Sequence, residues 1–441
     1  MSIASSRKFS ALEKILSRPS PFGNETGQLP NGYYTPGPEV FNTLHRDSKV
    51  LVVGAGGLGC ELLKDLALSG LTDIHVIDLD TIDISNLNRQ FLFRMSDVGT
   101  PKAVAAAKFI MRRVPGCTVT PYCGMIQDKD EDFYRQFKVI ISGLDNIEAR
   151  RWLNSLIVGM VDTDEEGDID PTTIIPLIDG GTEGLKGQGR VILPKITACF
   201  ECTLESFPPQ QAFPMCTIAE TPRLPEHCIA YVYILEWERA FPERKLNCDS
   251  PEDMRWVFER ALERANKYGI EGVTYFKTMG VVKNIIPAVA STNAIISAMC
   301  VNEALKLVTF GSQTVNNYFM YMGGEGLYTP TFTYEKSAHC VVCSDEAATR
   351  RMAVSGDLSL QAFMGMLKEA PSLQLSKPSL IGESTSLYMQ KPPSLEAILR
   401  VNLSKPLSAL VRDGEVITVT DPTLREVSLS IQLDFTNTPP E

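Results

Sequence analysis

Apolar residues follow two rhythms along this chain. Short, nearly unbroken apolar runs, such as Val50-Leu51-Val52-Val53 and Val139-Ile140-Ile141, alternate with longer stretches in which an apolar position recurs every three or four residues. The runs suit strands covered on both faces of a parallel sheet, and the longer spacing suits amphipathic helices between them. From Lys49 the order reads strand, helix, strand at 73–80, helix at 101–113, strand at 119–121, helix at 130–137, strand at 138–144 and helix at 149–158. This alternation predicts an α/β fold built on a doubly wound, Rossmann-like parallel sheet.

Elsewhere the rhythm breaks. Residues 1–47 hold one short candidate helix, 10–16, in a stretch rich in Pro, Gly and Asn, and read as an arm. An acidic insert at 162–170 reads as a loop before an apolar run that ends in Gly180-Gly181 and a strand at 189–193. From Phe207 prolines and short helices take over, with 255–268 strongly helical. The expected organisation is an arm (1–47), a sheet domain (48–206), an inserted helical domain (207–275), the sheet domain resumed (276–345) and a C-terminal domain (346–441). A hairpin at 317–334, turning at Gly323-Gly324-Glu325-Gly326, closes the sheet domain. The C-terminal domain is expected to begin with a helix and continue through 386–390, 395–399, 415–419 and 426–435, a β-grasp-like set of strands with one embedded helix.

Charge narrows the function classes. A formal net charge of -11 and a pI near 5.1 argue against a nucleic-acid surface and favour partners with basic patches. The most apolar helical segment, 284–308, is interrupted by Pro287, Asn293, Asn302, Glu303 and Lys306, which suits buried helices better than a bilayer span. The first twenty residues lack an apolar core and a cleavage-site pattern, so a cytoplasmic or nuclear location is expected.

Eleven unevenly spaced cysteines make a poor disulfide framework and fit a reducing compartment. Two pairs stand out, Cys199-Phe200-Glu201-Cys202 and Cys340-Val341-Val342-Cys343. Two CxxC pairs far apart in one chain match the four thiolates of a closed tetrahedral zinc site, here structural; the bland alternative is two unrelated buried pairs.

The candidate chemistry centres on Gly54-Ala55-Gly56-Gly57-Leu58-Gly59, where the first apolar run breaks into glycines and then into a helix. Such a turn lets backbone N–H groups at a helix start approach a phosphate. Asp78, ending the next strand, suits ribose hydroxyls in NAD and ATP alike. The polar segment Ser85-Asn86-Leu87-Asn88-Arg89-Gln90 separates the two, because phosphoryl or adenylyl transfer needs cations where charge develops, and Arg89 and Lys102 supply them. Asp145, after the strand at 138–144, is placed to hold magnesium. Each also has a plain structural reading: Lys102 a solvated helix-start lysine, Arg89 a clamp, Asp145 a helix N-cap.

Together with the Gly99 to Lys102 turn, Gly143-Leu144-Asp145-Asn146 and the double CxxC, these motifs resemble the adenylation domain of ubiquitin-like-protein activating enzymes and their bacterial sulfur-carrier relatives, the ThiF/MoeB type. The resemblance implies ATP and magnesium held by Gly54, Gly56, Gly57, Gly59, Asp78, Asp80, Asn86, Arg89, Gln90, Lys102 and Asp145, and adenylation of a modifier's C-terminal glycine. Transfer to an enzyme cysteine as a thioester follows. Residues 213–219 and 223–228 resemble the family's catalytic-cysteine segment, which makes Cys216 the nucleophile and leaves His227 structural. Within the family the chain is most similar to the branch that serves Nedd/Rub. One adenylation fold with one cysteine segment further implies a non-catalytic adenylation-fold subunit as partner, whose kind supplies an arginine to the ATP site; Arg7, Arg18 and Arg46 precede the sheet here. The C-terminal domain then resembles the ubiquitin-fold domain that recruits the conjugating enzyme. In that branch an arginine matching Arg190 repels ubiquitin's tail, which carries arginine where Nedd/Rub carries alanine; the plain alternative pairs Arg190 with a carboxylate such as Glu183. Two rival functions remain open at this point, a non-catalytic scaffold and an NAD-dependent dehydrogenase.

Overall fold

In the computed structural model, the described residues are 8–16, 38–206 (without 165 and 167), 222–282 (without 243, 245, 248 and 249), 289–309, 316–344 and 349–436 (without 426). The first apolar run forms β1 (Lys49–Val53), and β2 (Asp73–Asp78), β3 (Thr118–Cys123) and β4 (Val139–Ser142) join it in parallel. Val50 to Val53 are fully buried, as a strand covered on both faces requires. Val50 and Val52 meet the helices Gly57–Leu68, Lys102–Arg113 and Ala290–Thr309. Leu51 and Val53 lie in a second core with Trp152, Leu153, Leu156 and Ile157 of the helix Ile147–Gly159. Each such side chain contributes roughly 1.5–3 kcal/mol, so burial at the sheet's centre is a large part of what holds this domain together.

The sheet is wider and more mixed than the apolar rhythm implied. β5 (Leu177–Glu183) extends the parallel half, then β6 (Lys186–Ile192), β7 (Tyr318–Met322) and β8 (Thr331–Phe332) add antiparallel strands, giving the order β3-β2-β1-β4-β5-β6-β7-β8. The strand expected at 189–193 begins earlier, at Lys186, in β6. Gly184, with φ +55, makes the tight turn from β5 possible. The strand-order reversal lies between β1 and β4, where an open α/β sheet forms its ligand crevice.

Residues Gln210–Pro287 form a compact unit of their own, reaching past the expected boundary at Tyr275 to include the helix Tyr275–Val282. Cys228, Ile229, Trp237, Val257 and Ala261 are its core.

The C-terminal domain starts with a strand, β9 (Arg350–Ser355), not with a helix. Val354 is buried and the strand pairs in parallel with β13 (Ser428–Thr436), a long-range partner that local sequence does not reveal. Its sheet runs β11-β10-β12-β13-β9, with β10 (Ser379–Ile381), β11 (Ser386–Tyr388) and β12 (Val416–Thr420). The helix Leu360–Glu369 buries Leu360, Phe363, Met364 and Leu367 in the domain's core, and 395–399 lies in a second helix, Pro393–Leu399. Among the described residues no helix is long and apolar enough to cross a membrane.

Candidate active site

At the crevice, the glycine loop and the β4 end press together backbone to backbone. Gly54 has φ +95, and a Cβ there would come within 3.0 Å of the Gly143 carbonyl oxygen. A Cβ on Gly59 would overlap the Gly54 carbonyl. These glycines are thus required by close approach, and the helix Gly57–Leu68 opens with its first N–H groups at the crevice, the arrangement that receives phosphate.

Asp78 braces the loop. Its carboxylate accepts from the Ala55 N–H at 2.6 Å and the Asp80 N–H at 2.8 Å, which leaves acceptor capacity for ribose hydroxyls. Burial pushes its pKa up, and the Ala55 N–H opposes that. Lys102 is buried and its ammonium meets Asp80 at 2.7 Å, so it is no solvated helix-start lysine. Asp80 is its anchor in this arrangement. Arg89 donates to the Ser85 carbonyl at 3.1 Å and Asn88 Oδ1 at 3.0 Å. Asn86 is committed to its own turn, where Oδ1 accepts from the Asp83 N–H at 3.0 Å. Gln90 is buried beside the loop, with Nε2 3.9 Å from a Cβ position on Gly56.

Asp145 is exposed, and the residue that caps the following helix is Asn146, which accepts from the Ala149 N–H at 2.7 Å. The N-cap reading of Asp145 is thereby corrected, and its Oδ1 accepts from the Asn146 side-chain amide at 3.3 Å. Sequence reasoning missed Arg150, one helical turn beyond Asn146. It meets the Asp179 carboxylate at 2.5 Å, donates to the Gly180 carbonyl at 2.9 Å and also to the Leu144 carbonyl, so it ties the Asp145 loop to the β5 end.

The four cysteines converge. The Sγ atoms of Cys199, Cys202, Cys340 and Cys343 lie within 4.8 Å of one another, with separations of 3.9, 3.5 and 3.4 Å for 199–202, 199–340 and 202–343. A tetrahedron with Zn–S bonds of about 2.3 Å has edges of about 3.8 Å. The donor set and spacing therefore fit zinc. Glu201, between two of the thiols, holds Arg151 at 2.7 Å, and Arg151 donates to the Gln374 carbonyl at 2.7 Å, which links this centre to the C-terminal domain.

A model of the ThiF family matches residues 37–342. The chain belongs to the ThiF family. A model of the E2 binding domain matches residues 353–433, the C-terminal sheet described above. The chain is similar to proteins named NEDD8-activating enzyme E1 catalytic subunit. The Dictyostelium discoideum protein is 52% identical over 419 residues, covering 94% of this chain and 93% of that one. The Drosophila melanogaster protein is 47% identical over 440 residues (98% and 96%), and that of Arabidopsis thaliana 49% over 400 residues (91% and 86%).

Not every ThiF-type expectation falls at the crevice. Cys216, Arg7 and Arg18 lie outside the described residues. Arg46 precedes β1 and so sits at the sheet edge opposite the glycine loop, about 17 Å away along a five-residue strand. His227 is buried, with Nδ1 accepting from the Arg223 N–H at 3.1 Å, a structural engagement. Arg190 is only 3% exposed and does not line an open groove: Nε is 3.6 Å from Asp179, not paired with Glu183, and the guanidinium bonds the Thr203 hydroxyl and stacks on Phe200. It points to the same sheet face as Ile192, which places it in the interior.

Proposed function

We propose that the chain activates a Nedd8-type ubiquitin-like protein. The C-terminal carboxylate of that protein attacks the α-phosphorus of ATP and displaces pyrophosphate; the thiolate of Cys216 then attacks the acyl carbon and displaces AMP, and the acyl group passes to a conjugating enzyme on the C-terminal domain. Supporting this most strongly is the switch point itself, where a phosphate-receiving helix start, two anchored cations and an exposed carboxylate meet in a ThiF-family chain. The dehydrogenase reading leaves those cations and the thiol centre without a task.

In this reading Lys102 and Arg89 bear on phosphate oxygens, Asp78 orients the ribose, and Asp145 holds magnesium, which supplies charge neutralisation on the phosphates. Cys199, Cys202, Cys340 and Cys343 hold a structural zinc. A second adenylation-fold subunit supplies a further arginine, as the resemblance implies, and Arg46 lies at the sheet edge away from the glycine loop. Arg190 acts on tail choice from the interior: its guanidinium and that of Arg150 both bear on Asp179, and the like charge of Arg190 disfavours a tail bearing arginine.

The test is pyrophosphate exchange into ATP by the full chain with its partner subunit. Exchange should depend on the modifier, and Cys216→Ala should retain it while forming no thioester. A thiol-sensitive bond on the Cys216→Ala protein would move the nucleophile to another cysteine; absent exchange in the wild type would sink the adenylation reading.

A further inference from the structure

Asn293, on the helix Ala290–Thr309, is 2% exposed and lies against the glycine loop. A Cβ added to Gly57 would overlap its Nδ2 and come within 3.6 Å of Arg89 Cγ. Its amide is oriented from behind: the Thr182 hydroxyl on β5 donates to Asn293 Oδ1 at 2.6 Å. The neighbouring Thr292 hydroxyl donates to the Gly184 carbonyl at 2.8 Å, so the helix start grips the β5–β6 hairpin. Nδ2, however, has no hydrogen-bond partner among the described residues. A buried amide donor without a partner is destabilising unless a ligand completes it. It lies beside the stem of Arg89 and the first turn of the helix Gly57–Leu68, whose N–H groups favour an anion.

We propose that Asn293 is a further catalytic residue of this site, donating its Nδ2–H to an anionic oxygen of the reacting acyl phosphate, with Thr182 as the residue that positions it. The inference rests on the adenylation reading above. A donor fixed in a dry position before the reaction stabilises charge developing at the reacting centre without reorganising. The oxygen belongs either to the α-phosphate or to the incoming carboxylate, and two ligands separate these sources.

Asn293→Asp keeps the acceptor for Thr182 and replaces the donor by an oxygen. In the full chain with its partner subunit, pyrophosphate exchange should fall about a hundredfold or more. Binding is read calorimetrically with AMP and with a non-hydrolysable acyl-sulfamate mimic. Tenfold weaker AMP binding assigns the bond to the α-phosphate; unchanged AMP binding with a tenfold weaker mimic assigns it to the carboxylate side. Thr182→Val should show the same pattern in smaller degree. If Asn293→Asp does not fold, Asn293→Ser carries the same measurements. A folded variant that binds both ligands and exchanges within threefold of wild type overturns the proposal while leaving the adenylation reading intact. A wild-type chain that exchanges nothing and binds neither ligand removes both.

Discussion

The thiol centre and the glycine-loop end are both assembled from distant segments, yet they use their side chains in opposite ways. At the thiol centre four identical ligands, three of them buried, converge on one another, and the Ser337 N–H donates to the Cys202 sulfur at 3.5 Å. At the loop end nearly every charged group already has a partner within the chain: Lys102 has Asp80, Arg89 has Ser85 and Asn88, Asp78 has the Ala55 and Asp80 N–H groups. A closed set of ligands can only hold something in place. Partners that are exposed or exchangeable, such as Asp80, hold cations in position until a substrate takes over part of their bonding. This contrast separates a structural centre from a reacting one, and variants at each should fail differently.

The largest effect is expected at the closed centre. Structural zinc contributes folding free energy directly, on the order of 10 kcal/mol in small zinc domains, so Cys202→Ser should lose the metal and at least about 3 kcal/mol of stability. Metal analysis per chain and thermal unfolding read these. Because Glu201 lies between Cys199 and Cys202 and fixes Arg151, amide hydrogen exchange near Gln374 should rise as well. Freshly purified wild-type protein without zinc would break the comparison at its root.

Next in size is Asp145→Ala at the open centre. Exchange should fall about 10²–10³-fold, roughly 2.7–4 kcal/mol of transition-state stabilisation, with zinc content and melting temperature unchanged. The carboxylate is exposed and the helix cap belongs to Asn146, so the fold has no need of Asp145. A matching drop in melting temperature would show that the open centre is structural too.

How much of this was legible in sequence follows from the range of each interaction. The strands and the glycine turn could be read because burial of Val50 to Val53 and the overlap at Gly59 leave no local alternative. The zinc ligands were legible because CxxC spacing is itself a ligand geometry. β9 and its parallel pairing were not, since its partner β13 lies some eighty residues on. Nor was the Lys102–Asp80 pair, which depends on how a strand end meets a helix start. Arg150 and Asn293 stayed hidden because their meaning comes from residues distant in sequence, Asp179 for one and Gly57 for the other.

Arg190 gives the smallest effect and the sharpest use of the contrast, because its side chain is as enclosed as the thiols yet is proposed to act on substrate choice. Burial lowers its pKa and the Asp179 carboxylate opposes that. Removing one partner of a buried pair usually costs about 3–5 kcal/mol, but here Asp179 keeps Arg150 at 2.5 Å and is not left bare. Arg190→Gln should therefore lower the melting temperature by only a few degrees. It also removes a positive charge, and a like-charge penalty of several kcal/mol is the scale on which a wrong tail is rejected. Since the action is from the interior and not by contact, only part of that penalty applies. Charging with ubiquitin should rise about tenfold, and charging with the Nedd8-type protein should change little, both measured as thioester formed per minute. If ubiquitin stays excluded while the melting temperature falls, Arg190 is a clamp for Asp179 alone, and the enclosed part of this chain does no more than hold.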